Sequence, residues 1–72
     1  MFYICEIQTY KDGTGAHIMF TAPTLNEAES KYHQVLAAAA VSNVPVHACI
    51  IFDDHGYTKM SRFYEHDQEA GA

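Results

Sequence analysis

Apolar residues repeat with a helical period between residues 24 and 41 of the chain. Steps of three and four residues separate the members of this stripe, which are Leu25, Ala28, Tyr32, Val35, Leu36 and Ala39. This spacing places them along one side of an α-helix, whereas Glu27 and Lys31 fall elsewhere. We therefore predict one amphipathic helix that must cover another element.

The predicted helix carries a start signal and a stop signal. Thr24 and Glu27 have the spacing of a capping box, in which the Thr24 hydroxyl accepts a hydrogen bond from the Glu27 amide. Asn43 tolerates the left-handed conformation of a C-cap, and Pro45 cannot continue a helix. The helix should therefore begin after Thr24 and end before Pro45.

Segments rich in apolar residues on both sides of the helix predict four β-strands. These strands cover residues 2–10, 16–22, 46–52 and 57–64. Turns containing Gly13 and Gly56 join the strands into two hairpins. The fold class is therefore α+β, with the order ββαββ and a four-stranded antiparallel sheet that carries one helix on one face. Residues 1–65 should form a single domain, followed by an acidic flexible tail over residues 66–72.

One helix covers only one face of such a sheet. We expect Tyr3, Cys5 and Ile7 of the first strand to lie under the helix. The third strand, a continuous apolar run over residues 46–52, should be central and buried on both faces. Because several strands carry apolar residues in both alternating sets, the uncovered face should be an interaction site. We predict a homodimer or larger oligomer, formed through that face or through the alanine side of the helix at residues 37–40.

Charge and composition narrow the class of protein. The 72 residues carry a net charge of −5 and only four Lys or Arg side chains, which argues against a surface that follows nucleic-acid phosphates. The N-terminus lacks a basic leader, and there is no apolar run long enough to span a membrane, so we expect an intracellular protein that does not bind membranes. Cys5 and Cys49 lie in apolar segments and are expected to be buried thiols.

Five histidines raise the question of a metal site. The best set of ligands that the sequence offers is Cys5, His17, His47 and Cys49, since His47 and Cys49 share a strand face. Zinc sites usually take two ligands from one short motif, and the histidines are spread at about one per element. We therefore predict no metal and no cofactor.

Asp53, Asp54 and His55 form the one compact cluster of carboxylates and imidazole in the sequence. A carboxylate can orient a histidine for general-base catalysis, so an enzyme would use His55 with Asp53, or else His47 as its base. The same residues suit a tight hairpin turn, and a domain of this size rarely encloses a pocket. We therefore predict no catalytic residues.

Aromatic and thioether side chains are the more promising candidates for function. Such side chains often anchor protein interfaces, and the net negative charge opposes their use in stacking on nucleic-acid bases. The predicted interaction residues are Tyr3, Tyr10, Met19, Tyr57, Met60 and Tyr64.

Residues 26–56, NEAESKYHQVLAAAAVSNVPVHACIIFDDHG, resemble a group of small uncharacterised proteins encoded in phages and prophages of Gram-positive gut bacteria. The resemblance implies a cytoplasmic location in the bacterial host and an accessory role. Short acidic phage proteins of this kind often bind a host or phage protein, and some inhibit host machinery. The leading hypothesis is a non-enzymatic accessory protein that acts by protein–protein contact. The alternatives are a small histidine-dependent enzyme or nuclease-like toxin, and a minor structural protein of a virion.

Overall fold

The computed structural model describes residues 1–66 as one sheet and one helix. The elements are β1 (Phe2–Thr9), β2 (Gly15–Ala22), α1 (Leu25–Ala40), β3 (Val46–Asp53) and β4 (Thr58–Glu65). Each strand has eight residues. The predicted order ββαββ and the α+β class are confirmed.

The four strands are ordered β2-β1-β3-β4, and every neighbouring pair is antiparallel. β1 and β3 are therefore the central strands, as the apolar run in β3 predicted. β2 and β4 form the two edges. Pairing of β1 with β2 and with β3 runs over all eight residues of each strand, whereas β3 and β4 shift register at Ile51 and Phe52.

The helix begins after Thr24 and ends before Pro45, as predicted, but its C-cap differs from the prediction. Thr24 is the N-cap, and its hydroxyl oxygen accepts from the Glu27 amide at 3.2 Å. Val41 is the C-cap with φ −111°, and its amide donates to the Ala38 carbonyl. The expected left-handed cap at Asn43 is wrong, because the positive φ angles within residues 1–66 belong to glycines of the two hairpin turns. The helix thus closes with a tightened last turn.

The core lies between α1 and one face of the sheet. Buried residues from the helix and the strands form it, namely Ile4, Ala22, Ala28, Tyr32, Val35, Leu36, Cys49 and Ile51, with Phe2, Phe20, Met60 and Tyr64 packed against them. The expectation that Tyr3, Cys5 and Ile7 lie under the helix is wrong, because Ile4 occupies that position and strand side chains alternate between faces. Because Glu6 shares the face of β1 that carries Ile4, the sequence indicates that this face is the less apolar of the two. In the structure the Glu6 carboxylate has a hydrogen-bond partner on the same side of the sheet.

Burial in β3 also differs from the prediction. Its buried residues alternate with half-buried ones, so the strand is covered by the helix on one face only. Val46 to Phe52 is apolar on both faces, and the sequence pattern alone does not distinguish a covered face from an apolar face left open.

The end of β4 is tied to the end of the helix. The His66 amide donates to the Pro45 carbonyl at 2.7 Å, and the His66 ring nitrogen Nε2 lies 2.8 Å from the Ala39 carbonyl oxygen. His66, which we assigned to the tail, is therefore part of the ordered domain. The rest of the predicted tail, residues 67–72, lies outside the described residues.

Candidate functional site

The face of the sheet opposite α1, called here the open face, is lined largely by apolar side chains. They alternate with the core residues along each strand and are Tyr3, Cys5, Ile7, Met19, Ala48, Ile50, Phe52 and Phe63. Phe63 is 59% exposed and Met19 48% exposed. An apolar surface of this kind, with side chains from all four strands, typically marks a binding site.

A hollow of about 460 Å³ lies on the open face over β3 and β4. Ala48, Ile50, Ser61, Arg62 and Phe63 line it. Ala48 and Ser61 have small side chains, so they leave space on the sheet surface beside the projecting Phe63 ring. A ring next to a hollow is a shape that an apolar side chain of another protein can fit.

Aromatic stacking organises the other half of the open face. The rings of Tyr3 and Phe52, which are opposite each other on β1 and β3, stack with centroids 5.5 Å apart and planes 16° from parallel. Cys5 lies on the same face and is nearly buried, and burial raises the pKa of its thiol. The stacked rings restrict each other's positions on the open face.

The six predicted interaction residues do not form one surface. Tyr3 and Met19 lie on the open face, whereas Met60 and Tyr64 lie on the helix side and pack against the core. Tyr10, which is 38% exposed, lies beyond the end of β1. Tyr57 is 69% exposed and lies in the β3–β4 turn, with its ring 6.4 Å from that of His55.

Sequence reasoning missed Ala48, Ile50 and Phe63 as members of the candidate surface. The signal that identifies them is the register of β3 with β4, since Ala48 pairs with Phe63 and Ile50 with Ser61. The shift at Ile51 and Phe52 sets this register, and the turn residues alone do not reveal it.

A buried acid–imidazole pair lies on the helix side of the sheet. The His47 ring nitrogen Nε2 is 2.5 Å from Glu6 Oε2, and the two side chains are 5% and 14% exposed. Gln8 Nε2 also donates to Glu6 Oε2, at 3.2 Å. The other ring nitrogen of His47, Nδ1, is buried without a protein partner. When Nε2 carries the proton and donates to Glu6, Nδ1 is a hydrogen-bond acceptor that has no protein donor.

The ligand set considered for a metal is divided between the two faces of the sheet. Cys5 and His17 lie on the open face, whereas His47 and Cys49 lie on the helix side. Cys49 is fully buried, and burial, followed by the nearby Glu6 carboxylate, raises the pKa of its thiol to about 11. The thiol is therefore protonated at neutral pH and is a poor ligand and nucleophile.

Asp53, Asp54 and His55 come together as a turn. Asp53 Oδ1 accepts from the amides of His55 at 2.9 Å and Tyr57 at 3.0 Å. Burial alone would raise the pKa of Asp53, but these two hydrogen bonds and the Lys59 ammonium outweigh it and lower the pKa. His55 Nδ1 lies 3.1 Å from Asp54 Oδ1, and both side chains are largely exposed. The three residues can also bring one ligand atom each within 4.8 Å of one another. Their hydrogen bonds account for them as a hairpin turn.

Comparisons of the chain with protein-family models, with curated proteins and with solved structures found no match. Within residues 1–66, no helix is both long enough and apolar enough to cross a membrane.

Proposed function

We propose that the chain is a non-enzymatic accessory protein of the phage type, which acts in the bacterial cytoplasm by binding another protein through the open face. The observation that carries the proposal is the apolar character of a sheet face that α1 leaves uncovered. Inhibition or modulation of a host factor is the role that this binding would serve.

The size of the open face fits a protein partner. Four strands about 4.8 Å apart, each of eight residues that rise about 3.4 Å, make a face of roughly 500 Å². A partner that covers it would bury about 1,000 Å² counted over both proteins, which is at the lower end of specific interfaces. The partner we expect is therefore a folded protein with an apolar patch of similar extent.

Phe63 is the anchor that we assign to this surface. Aromatic side chains that enter a pocket of the partner contribute much of the binding energy in protein interfaces. Phe63 projects at 59% exposure beside the hollow over Ala48 and Ser61, so each partner can place an apolar group into the other. The surrounding residues of β1 and β3 are half-buried and exclude water from the contact.

An affinity capture experiment tests the proposal. The immobilised full chain is exposed to lysate of the bacterial host, in parallel with Phe63→Ser and with the control Val41→Ser. Val41 is 86% exposed at the end of α1, so the control removes an exposed apolar side chain away from the open face.

We expect a stoichiometric partner that the control retains and that Phe63→Ser loses by tenfold or more. Equal capture by the two variants would place the binding surface elsewhere. Repeated failure to capture a partner, together with detectable turnover by the purified chain, would overturn the non-enzymatic assignment.

A further inference from the structure

β2 is an outer strand with few contacts on its free side. Its residues 15–19 are exposed, and Ile18 and Met19, which point to opposite faces, are 47% and 48% exposed. α1 lies mainly over β3 and β1 and reaches β2 less. Within residues 1–66, β1 is the only strand that pairs with β2.

The two edges of the sheet differ in protection. Outer strands usually carry charged residues, proline or a bulge, which prevent pairing with other chains. β4 has this protection, since TKMSRFYE contains Lys59, Arg62 and Glu65 and its pairing with β3 is shifted. β2, with the sequence GAHIMFTA, has no Asp, Glu, Lys or Arg and no proline, and its pairing with β1 is unbroken.

The hairpin turn shows which backbone groups of β2 face outward. The Tyr10 amide donates to the Thr14 carbonyl at 2.8 Å, so these two residues form a hydrogen-bonded pair. Hydrogen-bonded pairs alternate with non-hydrogen-bonded pairs along an antiparallel ladder. The backbone amides and carbonyls of Ile18 and Phe20 therefore form hydrogen bonds with β1. The amides and carbonyls of the intervening residues point away from the sheet, and these residues are Gly15, His17, Met19 and Thr21.

We propose that β2 pairs with β2 of a second copy of this chain, antiparallel and about a twofold axis at Ile18. In this register the backbone of His17 forms hydrogen bonds with Met19 of the other copy, and the backbone of Gly15 with Thr21. Every outward-facing backbone amide and carbonyl of β2 is then paired. The same patch serves both copies, as a twofold interface requires.

Side chains across the proposed pair are complementary. Ile18 meets its own copy at a non-hydrogen-bonded position, where the chains approach most closely. The Phe20 ring faces the small Ala16 of the other copy. The helices lie above β1 and β3, so their axes would be separated by about four strand spacings, on the order of 19 Å, and would not collide.

The distribution of charge favours this edge over the rest of the surface as the contact between two copies. Each chain has a net charge of −5, and two copies repel each other over most of their surfaces. β2, which has no Asp, Glu, Lys or Arg, is where they can approach, and salt that screens the remaining repulsion should strengthen the dimer. The product is one eight-stranded sheet with both helices on one side and both open faces on the other, so the proposed binding surface becomes bivalent.

A charge-swap experiment tests the pairing. Sedimentation equilibrium of the full chain from 1 to 200 µM should give a dimer that tightens between 50 and 300 mM salt. Ile18→Glu should weaken it at least tenfold, because two carboxylates meet at the axis, and Ile18→Lys should do the same. An equimolar mixture of these two variants should restore a 1:1 heterodimer.

A backbone variant and a control complete the test. His17→Pro removes an outward-facing amide and should weaken the dimer, whereas the matched His17→Ala keeps the amide and should not. Phe63→Ser should leave the dimer intact, which separates this proposal from the function assigned to the open face. Far-ultraviolet circular dichroism verifies that each variant is folded.

Three results would overturn the proposal. One is a chain that stays monomeric at 200 µM and 300 mM salt. Another is a dimer that Phe63→Ser dissociates and Ile18→Glu does not, which would identify the open face as the contact. The third is failure of the two Ile18 variants to form a heterodimer. That result would indicate that the β2 edge pairs with a strand of a different protein.

Discussion

His47 Nε2 lies 2.5 Å from Glu6 Oε2, across the two central strands on the helix side of the sheet. The pair explains how a glutamate is tolerated on the covered face of β1. A buried carboxylate needs hydrogen-bond donors, and the imidazole of His47 and the amide of Gln8 supply them. The pair is thus a structural contact within the helix side of the sheet.

Removal of either partner should destabilise the domain. We expect Glu6→Ala and His47→Ala each to lower the free energy of unfolding by about 1–3 kcal/mol, because the remaining group loses its partner. The double variant should cost less than the sum of the two. Urea unfolding at pH 7 measures these values. Glu65→Ala, at an exposed position on β4, is the control and should change stability by less than about 0.5 kcal/mol. Additive effects of the two single changes would contradict the coupling.

The buried Cys49 thiol should make the domain sensitive to alkali. Its pKa is raised from the usual 9.0 to about 11, so above pH 9 the unfolded chain loses a proton that the folded chain keeps. The resulting stability is complete below pH 9 and is lost as the pH rises toward 11. Between pH 9 and 10 the loss should be about 1 kcal/mol.

Urea unfolding of the wild type and of Cys49→Ala across this range tests the effect. The difference between the two proteins reports the Cys49 thiol together with its smaller effect on Tyr32, whose pKa is raised first by burial and then by Cys49. Parallel pH profiles for the two proteins would show that the thiol does not contribute.

Asp53 should make the β3–β4 hairpin sensitive to acid. Its pKa lies below the usual 3.8, so the unfolded chain takes up a proton at a higher pH than the folded chain. The stability it contributes is present above about pH 4 and is lost as the pH falls through the lower folded-state value. Thermal unfolding from pH 6 to 2.5 should show a shallower loss for Asp53→Ala than for the wild type.

The neighbouring Asp54 provides a matched control for this prediction. Its side chain is 55% exposed, and it does not accept from the turn amides that Asp53 holds. Asp54→Ala should therefore keep the wild-type acid profile. If Asp53→Ala and Asp54→Ala reduced the acid-dependent loss of stability equally, the effect would belong to the overall charge of the turn.

Alanine replacement of single histidines should separate chemical from structural roles. His17 and His55 are exposed, so His17→Ala and His55→Ala should change the free energy of unfolding by less than about 0.5 kcal/mol. His47→Ala should be the destabilising member of the set. If the chain has a catalytic activity, its loss in a fully folded His17→Ala or His55→Ala variant would favour the histidine-dependent alternative.

The sequence predicted the elements of this fold well. The Thr24 cap, the stripe from Ala28 to Ala39 and the glycines of the two turns are local signals, and each acts through the backbone of its own segment. Local signals of this kind are legible in a single sequence.

The faces of the sheet were not predicted, because they depend on contacts between distant segments. Phe2 and Ile4 compete with Tyr3, Cys5 and Ile7 for the covered side of β1, and counting apolar residues favours the second set. The choice depends on the partner that His47 provides for Glu6, 41 positions along the chain. Phe63 was missed for a related reason, since the register shift in β3–β4 sets which side of the sheet it faces.

The position of β1 between β2 and β3 has a consequence for biosynthesis. Phe2 pairs with Asp53, so β1 receives its second neighbour only when β3, which follows it along the chain, has left the ribosome. Until then the β1–β2 hairpin presents an unpaired inner edge and apolar side chains on both faces. Pairings between such distant segments are slow to form. The nascent chain therefore passes through a stage in which chaperone binding, or the premature association of two hairpins, competes with completion of the sheet.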